Sequence, residues 1–136
     1  METIQFDCGI KEYRLGGGVL RFNPADPNLY ARFAQAGEKL RQVEQEVSGG
    51  EGDTLDLMTQ ADSRMKQVLS WVFGPGNDMD KLLGGVNLLA VASNGRRVME
   101  NLLAALEPVL LAGAEACVRQ KTQEAVDQAK RRRGEV

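Results

Sequence analysis

The feature that most constrains this chain is a line of apolar residues at Leu29, Phe33, Ala36, Leu40, Val43 and Val47. They recur in alternating steps of four and three, so they fall on one face of an α-helix and not on a strand. A helix with one such face is stable only when another element covers it. Asp26 and Pro27 precede the line as an N-cap and a first helical residue, which sets a helix from 27 to about Val47. After the flexible run Ser48-Gly49-Gly50-Glu51-Gly52, Asp53 or Thr54 caps a second helix to about Val72. Its apolar face is Leu55, Met58, Ala61 or Asp62, Met65, Val68, Leu69 and Val72, and Phe73-Gly74-Pro75-Gly76 ends it.

The rest of the chain is arranged around this pair. Thr3–Phe6, Lys11–Leu15 and Val19–Phe22 read as three short strands, with turns at Gly9 and Gly16-Gly17-Gly18. Such a meander is too small to stand alone and is expected to be an accessory packed on the helices. Asn77 is expected to cap a short helical turn through Leu83, and residues 87–92 to form another helical piece. A last helix is expected from Ser93 or Asn94 to about Arg131, kinked or broken at Pro108. The expected fold is therefore mainly α: a small N-terminal β-hairpin or meander, then a helical bundle with a long C-terminal helix. With 136 residues it forms one domain, divided into a β unit 1–22, a helical part 27–131 and a frayed basic tail 132–136.

Composition narrows the chemistry. The chain has no His, so it lacks the commonest general base and metal ligand. Asp78 and Asp80 are too few oxygen ligands for a calcium loop and read as helix caps. Gly16-Gly17-Gly18 lacks the Lys-Ser/Thr ending of a phosphate loop. Cys117 has no His to activate it. The reading is a protein that is not an enzyme and has no metal or cofactor. The start of the chain has no signal-peptide pattern, and Leu102–Val118 is interrupted by Glu107, Pro108, Gly113 and Glu115. A soluble, cytoplasmic protein is expected, with Cys8 and Cys117 as reduced thiols and not a disulfide. Seventeen basic against nineteen acidic residues leave a net charge of −2, which disfavours nucleic acid despite the basic run Lys130–Arg133. That run suits the negative end of a helix, while residues 38–56 are locally acidic. The two could meet within the molecule or between copies.

The order of parts also carries a resemblance. Phe22-Asn23-Pro24-Ala25-Asp26-Pro27 leads into a helix with Tyr30-Ala31-Arg32-Phe33. Later come Val68-Leu69-Ser70-Trp71-Val72-Phe73-Gly74, a short Asp-rich segment ending Leu82-Leu83-Gly84, and Asn87. Over residues 1 to 115 this resembles the small tail assembly chaperone-like proteins of siphophages and prophages of Gram-positive bacteria. The segment between Gly74 and Gly84 lacks the aromatics usual there. The resemblance implies binding to the tape measure protein and to tail tube subunits, with no catalysis and no cofactor. Competing readings are a structural virion subunit, in the tail or at the head–tail connector, and a small helical DNA-binding regulator. Met58, Met65, Met79 and Met99 suit either a core or an adaptable client surface.

The last helix offers the candidate interaction residues Met99, Leu103, Leu106, Leu110 and Cys117, with Gly113 on the same line. Leu102, Val109 and Ala116 widen it. So apolar a helix needs cover on much of its circumference. The expectation is a homo-oligomer, most simply a two-fold dimer of last helices. The competing arrangement is a monomer whose β unit folds over the same line.

Overall fold

The computed structural model describes residues 1–50 and 52–134. Its elements are β1 (Lys11–Leu15), β2 (Gly18–Phe22), α1 (Pro27–Gly49), α2 (Thr54–Phe73), α3 (Met79–Leu82) and α4 (Val98–Arg132). The mainly helical fold with an N-terminal hairpin and a long last helix is as expected.

The hairpin is antiparallel, pairing Lys11 with Phe22 and Leu15 with Gly18. Gly16 takes φ +57° at the first turn position, where a side chain would be strained. A Cβ on Gly16 or Gly18 would also run into Leu82, so the turn's bareness lets α3 dock beneath it. Tyr13 and Leu15 face inward together. Thr3–Phe6, however, pairs with no strand among the described residues, and residues 1–10 carry no regular secondary structure. The hairpin is also no accessory: Leu20 and Phe22 are buried in the main core. Phe22 stacks between Tyr13 and Phe73, at centroid distances of 5.1 and 4.9 Å, and Phe73 meets Phe33 of α1 at 5.5 Å.

α1 and α2 form an antiparallel helical hairpin. Asp26 and Asp53 cap them by accepting from Asn28 N and Leu55 N. The α1 line meets the core as its spacing requires: Leu29, Ala36 and Val43 are buried, and Phe33, Leu40 and Val47 pack beside them. In α2, Ala61, Met65, Leu69 and Val72 are buried, while Leu55 is exposed. At the far end Arg32 donates to the Val72 carbonyl at 2.7 Å, placing a cation where the helix dipole is negative.

Two polar side chains tie the loops down. Asn77 does not cap α3; Asp78 does, accepting from Lys81 N. Asn77 is instead buried between β2 and the end of α2. Its Oδ1 accepts from Arg21 N at 2.9 Å, and its Nδ2 faces the carbonyls of Arg21, Phe73 and Gly74. Lys66, also buried, pairs with Asp62 at 2.8 Å and Asp80 at 2.6 Å, so Asp80 is an ion-pair partner and not a cap. Asp62 also accepts from Leu88 N at 2.8 Å and so pins the segment before α4.

That segment corrects two expectations. Residues 87–92 are not helical, and α4 starts at Val98. Asn94 and Gly95, with Gly95 at φ +80°, make a tight reversal that brings Val91 against Arg97. Asn-Gly favours such a turn over a helix start. α4 is one unbroken helix through Pro108. It runs past the expected end to include Arg132; Arg133 and Gly134 form a turn, and the remaining residues of the expected frayed tail lie outside the described ones.

Two outcomes follow from the buried polar groups. Asn77→Ala strands the Arg21 amide and carbonyl, and should lower unfolding free energy by about 1–3 kcal/mol in urea titration. Burial alone would lower the Lys66 pKa; the hydrogen bonds and charges of Asp62 and Asp80 outweigh it and raise it above 10.5. A base raised on folding adds stability that is complete below its unfolded pKa and lost as pH rises through the folded one. A melting series should therefore hold through pH 9 and fall in strong alkali, with Lys66→Met removing that alkaline component.

Candidate interaction site

α4 departs from the body beside the start of α1. The contact is made by the entry segment, residues 23–30. Asn23 folds it by accepting from Ala25 N at 2.8 Å, and Pro24 and Pro27 stiffen it. The Pro24 carbonyl points at Gly113, where a Cβ would overlap backbone that cannot yield. The Tyr30 hydroxyl lies 2.6 Å from the carbonyls of both Pro24 and Leu110 and donates to one at a time. Burial, then the neighbouring Cys117 and Tyr13, raise the Tyr30 pKa, so it remains a donor at neutral pH. Cys117 Sγ donates to the Ala25 carbonyl. Both cysteines are free thiols.

This dock decides where the candidate residues lie. Met99 and Leu106 are buried in the single chain's core, and Gly113 is buried beneath Pro24. Leu110 and Cys117 are half-buried under the entry segment. Leu103 is 38% exposed, and Leu102 takes its place inside. The reason is phase: Leu102 and Leu106 lie within about 20° of Gly113 around the helix, whereas Leu103 lies about 80° away. The chain itself thus covers much of the expected line, using the entry segment and the loop before α4.

A second line remains open. Leu111 is 57% and Val118 65% exposed, one above the other at a seven-residue step, with Ala104 and Ala125 continuing the row. Nothing on α4 beyond Gly113 is buried, so its last 15 residues extend free of the body by about 20 Å. By length and composition alone α4 would cross a membrane, and only 17% of its most apolar stretch is buried; one such helix is weak support for a membrane. The sequence signal for the open line was present in the seven-residue row, but the neighbouring line masked it.

Between β1, the entry segment and α4 lies an open groove of about 650 Å³, lined by Tyr13, Pro24, Pro108, Val109, Ala112 and Ala116 among others. Its walls are mostly apolar, with Lys11 and Arg119 at the edges.

The close approach at Gly113 gives a direct test. Gly113→Ala would gain about 1 kcal/mol of helix propensity on an open helix. Here it should lower the melting temperature by several degrees, and hydrogen exchange should show the loss at residues 23–30 and 106–117 first.

No family model, curated protein or solved structure matches this chain, so its role is read from the surfaces described above.

Proposed function

We propose that this chain is a non-enzymatic assembly factor of the phage tail assembly chaperone kind. It holds an amphipathic helical segment of the tape measure protein during tail morphogenesis in the host cytoplasm, with the tail tube protein as a further client. The supporting observation is the open line Leu111–Val118 on a helix that leaves the body. Large apolar side chains in a row on the outward face of a helix suit the apolar face of another helix. The client is named here from the sequence resemblance over residues 1 to 115, and the open line is its proposed seat.

Binding of purified wild-type chain to a helical tape measure segment, followed by calorimetry, tests this. Leu111→Glu with Val118→Glu should weaken binding about a hundredfold or more, since each carboxylate would enter an apolar contact unpaired. Both residues are exposed, so circular dichroism should be unchanged. Removing residues 129–136 should leave binding intact. Unchanged affinity in the double variant would overturn the placement. Salt-sensitive DNA binding that disappears with those residues would favour the regulator, and a full complement of the chain in purified virions would favour the structural subunit.

A further inference from the structure

We infer that residues 3–8 form an exchanged arm that adds to the free edge of β1 in a second copy of this chain. The first observation is the arm itself. Ile4, Phe6, Cys8 and Ile10 alternate with Thr3, Gln5, Asp7 and Gly9, the period of a strand with one apolar face. Yet Ile4 is 89% and Phe6 79% exposed, and no strand pairs with them. The arm is not loose at its root: Asn23 Nδ2 donates to the Cys8 carbonyl at 3.0 Å and Gly9 N to Asp7 at 2.8 Å. It therefore leaves the molecule in a set direction beside the hairpin's exit.

The second observation is the edge. The sheet has two strands, and each has an outer side. On β2 that side is occupied at Arg21, where Asn77 bonds both the N–H and the carbonyl. Arg21 is opposite Glu12, so their backbone groups point away from one another. The N–H and carbonyl of Glu12, and of Arg14 two residues on, thus face outward from β1 toward no other strand. An edge of this kind recruits an extended segment.

The third observation is the surface beside that edge. The groove between β1 and α4 borders the edge and is walled by Tyr13, Pro108, Val109, Ala112 and Ala116. Its size and apolar walls suit Ile4 and Phe6. Charge agrees as well: the arm carries Asp7, with Glu2 just before it, and no basic side chain, whereas the hairpin carries Lys11, Arg14 and Arg21 against Glu12. Arg119 stands at the groove's rim. A second copy supplies the same arm and the same edge, so the exchange is reciprocal and closes as a two-fold dimer. This dimer uses neither the buried Met99–Gly113 line nor the open line of α4, which stays available to a client.

Light scattering on the full chain at tens of micromolar should report a dimer. Phe6→Asp removes the arm's largest apolar group, and Ala112→Arg fills the groove. Both positions are exposed, so each variant should keep the wild-type circular dichroism while dissociating about ten- to hundredfold more readily. Ile4→Asp should act as Phe6→Asp does. Mixed together, the Phe6→Asp and Ala112→Arg chains should recover a dimer, because one intact arm then meets one intact groove. A monomeric wild type overturns the inference, including one whose residues 3–8 are protected from hydrogen exchange by folding onto their own groove. A dimer indifferent to Phe6→Asp and Ile4→Asp overturns it in favour of α4 pairing. A mixture that stays monomeric overturns reciprocal exchange.

Discussion

The fold depends on one carboxamide. Asn77 sits where the hairpin, the end of α2 and the turn into α3 converge, and it is almost wholly buried. Its acceptor and its donors go to backbone groups of Arg21, Phe73 and Gly74. Without it, β2 would present an unsatisfied edge to the interior, and the carbonyls ending α2 would lose a donor. With it, Phe22 and Phe73 are held 4.9 Å apart in edge-to-face contact, and the hairpin becomes part of the core. A polar group buried with all its bonds made also fixes register, because an apolar substitute would pack nearly as well in several positions.

The second constraint is the close backbone approach at Gly113. Only a residue without Cβ lets the Pro24 carbonyl reach α4 there. That contact chooses which side of a helix apolar almost all round turns inward, and so divides α4 lengthwise. One side, through Met99, Leu102 and Leu106, completes the core. The other, through Leu111 and Val118, does not. Tyr30 and Cys117 reinforce the choice with bonds to carbonyls on both partners. Pro108, which leaves one α4 carbonyl without its partner, lies on the exposed side, where water can bond that group.

What the sequence made legible follows from how local each signal is. The α1 line and the Asp26 cap are fixed by neighbours within a few residues and appear as expected; of Asp53 and Thr54 it is Asp53 that caps α2, and the expected Gly16-Gly17-Gly18 turn narrows to Gly16-Gly17, with Gly18 already in β2. The phase of α4 was not legible. Pairs such as Leu102/Leu103, Val109/Leu110 and Ala116/Cys117 permit two adjacent lines, and the choice depends on Gly113 meeting Pro24, 89 positions away. Asn94-Gly95 was a local signal of the turn type and outweighed the capping tendency of Ser93 or Asn94. Thr3–Phe6 has the alternation of a strand but no partner in its own chain; alternation specifies a face, and pairing needs an edge. The roles of Asn77 and Asp80 were likewise invisible, since a cap and a long-range bond call for the same residue types.

The two ends of the chain pose one physical problem. Residues 1–10 and 118–132 both leave the body carrying Ile, Phe or Val side chains in solvent. Burying each such side chain is worth about 1.5–3 kcal/mol. The body leaves them uncovered: the α1 and α2 lines are matched to one another, and the Gly113 dock turns the rest of α4 outward. A second chain can supply that cover. The requirements differ, because an extended arm needs backbone partners along its length whereas a helix has satisfied its own. The arm thus calls for a sheet edge, which a copy of the chain possesses in β1. The helix calls only for an apolar face, a demand that many amphipathic helices meet. The proposed self-association through the arm and the proposed client capture through the helix are in this way separable by the kind of bond each segment still lacks.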